Sequence, residues 1–258
     1  MNDEEFARRL DDAIGKATDW VRSHRNDILA RKNVALLRML QDADQLHKEP
    51  LFGEIVHKIM SLPLRPDCWK RLIDPEHPVQ YMEINHLIKN EAIDNKWILY
   101  AIAPKKARLT EAQMKDFFDH NRWQKRQLTH QLWALIHLRR STGSNEKIDR
   151  LIEQLCDRIS RQLTCNIPVV DIYIQKVAFV LKADFPQKIK RRWIERIITN
   201  QQDDGGWNDR WYCFRSRVRP SFDFDNPPSN QHATIQALWL LYQVKYCYPK
   251  HFGLKETH

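Results

Sequence analysis

The sequence predicts an all-α protein, built as an α/α barrel of about five to six helical hairpins with inner and outer layers. Glycine is scarce, with 6 residues in 258, whereas large β-sandwiches and doubly wound α/β proteins need more tight turns. Helices with one apolar face alternate along the chain with helices that are apolar nearly all round. Apolar helix starts recur about every 40 residues, a period typical of a helical hairpin repeat.

The first 60 residues contain three predicted amphipathic helices. The first places Phe6, Leu10 and Ile14 on one face, and Asn2 or Asp3 can cap it. The others cover residues 27–44 and 51–60. Because residues 1–60 alone would form a thin core, we expect these helices to complete or cap the ring within a single domain over residues 1–258.

The repeat hairpins are expected over residues 81–250. Four prolines break regular structure between residues 61 and 80, and helices resume over 81–90 and 91–101. The sequence Thr110-Glu111-Ala112-Gln113 has the form of a capping box, which predicts a helix to about residue 121.

The C-terminal half shows the alternation most clearly. Residues 147–163 and 187–200 are apolar on one face and charged on the other. Residues 169–181 and 233–244 are apolar nearly all round, and the length and position of the former favour a buried helix over a strand. The repeat holds only when the insert 208–230 is removed from the count.

Cysteine usage and absent motifs narrow the class of protein. The five cysteines are odd in number and form no C-x-x-C pair, which argues against a disulfide framework and against a zinc cluster of cysteines alone. The acidic N-terminus lacks the apolar segment of a signal peptide, and no apolar run could span a membrane, so we expect a cytoplasmic protein. Common nucleotide-binding, zincin and hydrolase motifs are absent.

The segment from Gln202 to Trp207, with the sequence QDDGGW, predicts a tight turn between two hairpins. Gly205 or Gly206 can adopt the left-handed conformation that ends a helix. Asp203 or Asp204 can accept backbone N–H groups in the turn, and Trp207 would then fold back on the neighbouring hairpin.

This turn resembles the Q-x-x-D-G-x-W end of the repeat found in terpenoid cyclases and protein prenyltransferases. His232-Ala233-Thr234, followed by Ala237-Leu238, is similar to the start of an inner helix in the same superfamily. The resemblance covers residues 128–246. It implies an α/α toroid with its polar groups gathered at one mouth of the ring, and it says little about activity.

The departures from the family pattern matter for chemistry. Class II terpenoid cyclases carry D-x-D-D-T at this helix start, and its central Asp protonates the substrate. Alignment on Thr234 places His232 at the central Asp and Asn230 at the first, so direct cyclase chemistry is disfavoured. Prenyltransferases have a zinc-binding His at this position, but their D-x-C is missing; Asp209 and Cys213 are the nearest substitutes.

The insert 208–230 supplies further candidate site residues. Asp223 and Asp225 could hold a divalent metal or act with His232 as acid–base groups. A salt-bridged surface loop is the alternative interpretation. Three arginines suited to binding phosphate or carboxylate precede the aspartates: Arg215, Arg217 and Arg219.

Other candidates lie near the predicted mouth. His130 and Tyr173 stand near the start of the two preceding inner helices, so they would line the same rim as His232 and Asn230. An aromatic cluster could pack in the core or form the wall of an apolar ligand site. Its members are Trp207, Trp211, Tyr212, Phe214, Phe222 and Phe224.

Two classes of function stay open. The first is an enzyme or ligand-binding protein that takes a small, anionic and partly apolar molecule in or above a central cavity, with an α/α-barrel carbohydrate enzyme as a related alternative. The second is a helical-repeat protein for an acidic partner, because the net charge is +9. It ranks second, since no nucleic-acid recognition helix or stacking module is evident. Its basic residues would be Lys188, Lys190, Arg191, Arg192 and Arg196.

Overall fold

The computed structural model describes residues 2–64, 66–121, 125–165, 169, 171–208 and 229–255. Every regular element in these ranges is a helix, which confirms the predicted all-α class. None of the described helices is both long enough and apolar enough to cross a membrane.

The N-terminal part holds α1 (Asp3–Ser23), α2 (Arg25–Arg31), α3 (Val34–Leu46) and α4 (Pro50–Ser61). The predicted cap of α1 is confirmed at Asn2, whose Oδ1 accepts the Glu5 N–H at 2.8 Å. The prediction of one helix over 27–44 is wrong. Lys32 adopts a left-handed conformation with φ of 50°, which ends α2, and the Asn33 side chain then caps α3.

The middle part holds a 3-10 helix (Asp67–Leu72), α5 (Tyr81–Asn90), α6 (Ile93–Ile102) and α7 (Glu111–Phe117). The predicted capping box is confirmed. The Gln113 N–H donates to Thr110 Oγ1 at 3.2 Å, and the Thr110 N–H donates to Gln113 Oε1 at 2.8 Å. Helix α7 ends earlier than the predicted residue 121.

The C-terminal part holds α8 (Lys125–Thr142), α9 (Glu146–Cys165), α10 (Asp171–Lys182), α11 (Arg191–Thr199) and α12 (Gln231–Tyr242). Short helical turns at Pro186–Lys188, Gln243–Cys247 and Lys250–Phe252 follow α10 and α12. Helix α10 confirms that the apolar segment 169–181 contains a buried helix, since every residue from Tyr173 to Leu181 is buried.

Two kinds of helix differ in burial and in position. Helices α10 and α12 are buried on nearly all sides, whereas α1 and α11 bury one face each. Helices α3, α12, α10, α8 and α6 pack one against the next in that order, and the 3-10 helix contacts both α3 and α6. Helices α1, α4, α9 and α11 each pack against one or more members of this series. We call α3, α6, α8, α10 and α12 the inner helices.

The turn that follows α11 has the predicted structure. Gly205 has φ of 88°, in the left-handed region. Asp204 Oδ1 accepts the Gly206 N–H at 3.0 Å, and its Oδ2 accepts the Trp20 indole N–H at 3.3 Å. Trp207 is buried and donates its indole N–H to the Ile197 carbonyl at 2.8 Å. The Trp207 backbone N–H donates to Thr234 Oγ1 at 2.9 Å, so the turn contacts α1, α11 and α12.

A buried ionic network lies near the C-terminal ends of three inner helices. Asp42 is 3% exposed and pairs with Arg38 on α3 and with Lys182 on α10, the latter at 2.7 Å. Arg38 and Arg140 on α8 both donate to the Leu72 carbonyl, at 3.3 and 3.4 Å. These contacts attach the end of the 3-10 helix to α3 and α8, and they connect α3 with α10.

The two glycines Gly205 and Gly15 offer a matched test of the turn. A Cβ at Gly205 would lie 2.6 Å from the Lys16 carbonyl oxygen, and its φ disfavours any side chain. We expect Gly205→Ala to lower the free energy of unfolding by about 2–3 kcal/mol. Gly15→Ala, on the exposed face of α1 with open space around it, should raise that free energy by about 0.5–1 kcal/mol. Urea denaturation of both variants measures the difference, and equal stabilities would contradict the described turn.

His137 makes stability depend on pH. Burial, together with the nearby charges of Arg38, Arg140 and Lys182, holds the pKa of this imidazole well below its usual value of 6.5. Below about pH 6.5, His137 therefore binds a proton in the unfolded chain but stays neutral in the folded protein. We expect the free energy of unfolding to fall on acidification by up to about 1.4 kcal/mol per pH unit from this residue.

His137→Leu should remove that dependence, and His57→Leu, at an exposed position, should keep it. Denaturant titrations between about pH 4.5 and 8 measure the slopes. Parallel profiles for wild type and His137→Leu would show that His137 is not the group responsible.

Candidate functional site

A cavity of about 330 Å³ lies between the inner helices and the 3-10 helix. Part of its wall is apolar, formed by Trp69, Ile98, Trp133 and Phe179. Its polar lining residues on the inner helices are Asn95, His130, Gln175, His232 and Gln236. The cavity thus combines aromatic surfaces with hydrogen-bonding groups.

The polar lining residues of α6, α8, α10 and α12 all lie in the N-terminal halves of their helices. Helix α3 also begins at the cavity, since Asn33 and Val34 line it. Helix N-terminal ends carry unpaired N–H groups and partial positive charge. No carboxylate is among the cavity's lining residues in the described part of the chain. The surroundings therefore favour an anionic group.

Polar side chains lie close to both ring nitrogens of His232. Its Nδ1 lies 2.8 Å from Asp171 Oδ1, and its Nε2 lies 3.0 Å from the Gln236 amide nitrogen. Asp171 accepts the Nδ1 proton, which leaves the lone pair on Nε2. The Gln236 amide nitrogen also lies 3.3 Å from Nδ1, so it stands over the ring face, outside the plane of the Nε2 lone pair. A ligand hydroxyl that approached Nε2 in the plane of the ring would meet a basic nitrogen backed by a carboxylate, as general base catalysis requires.

The Gln236 side chain has an oxygen with no hydrogen-bond partner among the described residues. Its side chain is fully buried, and Oε1 accepts no hydrogen bond within the described ranges. A buried acceptor that stays unpaired is costly, and native proteins usually satisfy it. Because Gln236 lines the cavity, a ligand with a hydroxyl or amino group could satisfy this oxygen.

A second histidine faces the cavity from α8. His130 Nε2 lies 3.9 Å from Asp94 Oδ2 on α6, and both side chains are mostly buried. The neighbours of His130 in sequence have structural roles. Thr129 donates its hydroxyl to Gln175 Oε1, and Gln131 donates to carbonyls at the end of α7. The Thr129 bond leaves the Gln175 NH₂ group as the donor available to the cavity.

The aromatic side of the cavity is rigidly packed. The Trp133 and Phe179 rings stack with centroids 4.7 Å apart, and Trp239 meets both edge-on at 5.5 and 5.9 Å. Such pairs favour offset-stacked and edge-to-face geometries. Trp133 and Phe179 therefore present a fixed apolar surface to a ligand.

The structure brings only part of the predicted site together. His130 and His232 both line the cavity. Asn230 is the N-cap of α12, with Oδ1 accepting the Ala233 N–H at 2.9 Å. Trp207 and Tyr173 are not among the lining residues. Trp207 belongs to the turn before α12.

Tyr173 is fully buried on the side of α10 that faces α11. The Arg196 guanidinium lies 5.1 Å from its ring centroid, and burial raises the pKa of the Tyr173 hydroxyl to about 12. The structure therefore gives Tyr173 a packing role between two helices.

The remaining predicted residues lie outside the described residues. They are Asp223, Asp225, Arg215, Arg217, Arg219, Trp211 and Tyr212, with Asp209 and Cys213 of the zinc alternative. Within the described ranges, no group of three or more His, Cys, Asp or Glu side chains could hold a metal ion. The metal interpretation of Asp223 and Asp225 stays a prediction.

Sequence reasoning missed several lining residues. Gln175 and Gln236 each interrupt an apolar helix four residues after a polar helix start, Asp171 and His232 respectively. That i, i+4 spacing places both residues of a pair on one helix face, so it was a usable signal. Trp69, in the proline-rich segment, carried no such signal.

Comparisons with known proteins leave the family open. No protein-family model matches the chain, and neither curated proteins nor solved structures match it. The resemblance to terpenoid cyclases and prenyltransferases thus rests on the turn at residues 202–207 and on the start of α12.

Proposed function

We propose that this protein is an α/α toroid that binds a small, partly apolar and anionic molecule in its central cavity. One observation carries the proposal: a cavity of about 330 Å³ is lined by histidine and amide side chains and by aromatic rings from different inner helices. Its volume falls in the range of small-molecule sites, about 300–1,000 Å³.

The toroid interpretation is supported by the order of helix contacts. The inner helices contact one another in sequence, and the 3-10 helix contacts the first and the last of them. Their polar residues in the N-terminal halves meet at one cavity, as parallel inner helices would require. The resemblance of the turn at 202–207 to the terpenoid cyclase repeat agrees with this arrangement.

Acid–base chemistry is the reaction type that the site supports best. His232 Nε2 would accept a proton from a ligand hydroxyl or carbon acid, while Asp171 stabilises the resulting imidazolium. His130, near Asp94, would serve as the partner acid. Asp223, Asp225 and the three arginines of the insert, next to α12 in sequence, stay candidates for a lyase- or transferase-type reaction.

The contacts of the basic outer residues give less support to an acidic macromolecular partner. Lys188 pairs with Asp157, and Arg191 pairs with Asp3. Lys190 lies over the Trp193 ring at 5.7 Å. Internal partners offset much of the local charge that a nucleic acid would need.

A cavity-filling variant tests the proposal. Ala35 lines the cavity and is half-buried, so Ala35→Phe should occupy part of the space. With anilinonaphthalene sulfonate as a fluorescent probe, we expect Ala35→Phe to weaken binding at least about tenfold, or about 1.4 kcal/mol. Ala30→Phe, at an exposed position of α2, is the control and should bind as wild type does. Equal binding by both variants, with both folded, would exclude the cavity as the site.

A further inference from the structure

A second, open groove adjoins the cavity. Its volume is about 610 Å³, and it runs past Arg31, Pro63 and Pro66. The groove and the cavity share Lys32, Val34 and Trp69. Because these residues line both spaces, a ligand longer than the cavity could continue into the groove past Lys32.

Lys32 adopts a backbone conformation that is uncommon for lysine. Its φ of 50° and ψ of 37° are left-handed, at the C-cap of α2, where glycine or asparagine is usual. Lysine adopts this conformation less readily than glycine, so the backbone at this position gives no reason for a lysine.

Among the described residues, no carboxylate partner accounts for the Lys32 side chain. Neither Lys32 nor Arg31 forms an ion pair with a carboxylate in the part of the chain that the structure describes. By contrast, Arg25, on the same helix as Arg31, pairs with Glu54. The charges of Arg31 and Lys32 therefore stand at the groove next to the start of α3, which adds its own positive end.

We infer that Lys32 binds the anionic group of a ligand that enters the cavity from this groove; the inference rests on the proposed function. The ligand class is a compact aromatic or alicyclic body with a carboxylate, sulfonate or phosphate at one end. The body lies against Trp133 and Phe179, and the anionic group pairs with Lys32 at the junction. A hydroxyl or amino group at the inner end satisfies Gln236 Oε1.

Lys32→Gly separates a binding role from a structural one. Glycine relieves the left-handed strain, so the melting temperature should rise, while loss of the ammonium should weaken anilinonaphthalene sulfonate binding at least fivefold. Phenylnaphthylamine, which has the same aromatic body without the sulfonate, should bind within twofold of wild type. Lys32→Arg should restore sulfonate binding. Lys16→Gln, an equal charge change on exposed α1, is the control and should leave both probes unaffected.

The outcomes distinguish the inference from the proposed function. If Lys32→Gly binds the sulfonate as wild type does while Ala35→Phe still blocks it, the inference is wrong and the cavity proposal stands. If Lys32→Gly weakens both probes equally, the effect is one of shape, and the charge assignment is wrong. If wild type binds neither probe, both proposals fail.

Discussion

The arrangement of the inner helices depends on the buried carboxylate of Asp42. It is almost inaccessible to water, and it forms ion pairs with Arg38 of its own helix and with Lys182 of α10. A buried charge that lost its partners would be strongly destabilising, so this contact fixes the spacing of α3 and α10. The last carbonyls of a helix have no partner within it, and Arg38 and Arg140 donate to the Leu72 carbonyl at the end of the 3-10 helix. The inner helices are thus connected near one end.

The polar lining residues of the cavity lie toward the N-terminal ends of α6, α8, α10 and α12. These helix ends already carry partial positive charge. Asn230 caps α12 within two residues of His232, so one short segment both starts the helix and supplies the site. Packing of Trp133, Phe179 and Trp239 holds the aromatic wall in place. Leu72 lines this cavity and also accepts from Arg38 and Arg140, so the ionic network adjoins the cavity.

Local rules accounted for most of what the sequence predicted correctly. The Thr110 capping box, the left-handed Gly205 and the buried α10 each depend on a few neighbouring residues. The break at Lys32 could not be predicted, because a lysine rarely adopts that backbone conformation. The His232–Asp171 contact joins residues 61 apart, so spacing alone could suggest a shared rim but not the hydrogen bond.

The most direct test of the central claim is a crystal structure of the protein with anilinonaphthalene sulfonate bound. The account predicts that the aromatic body lies in the cavity against Trp133 and Phe179, that the sulfonate pairs with Lys32, and that the inner helices surround the probe in the order α3, α12, α10, α8 and α6. A centre filled by side chains, or a probe bound only on the outer surface, would contradict it.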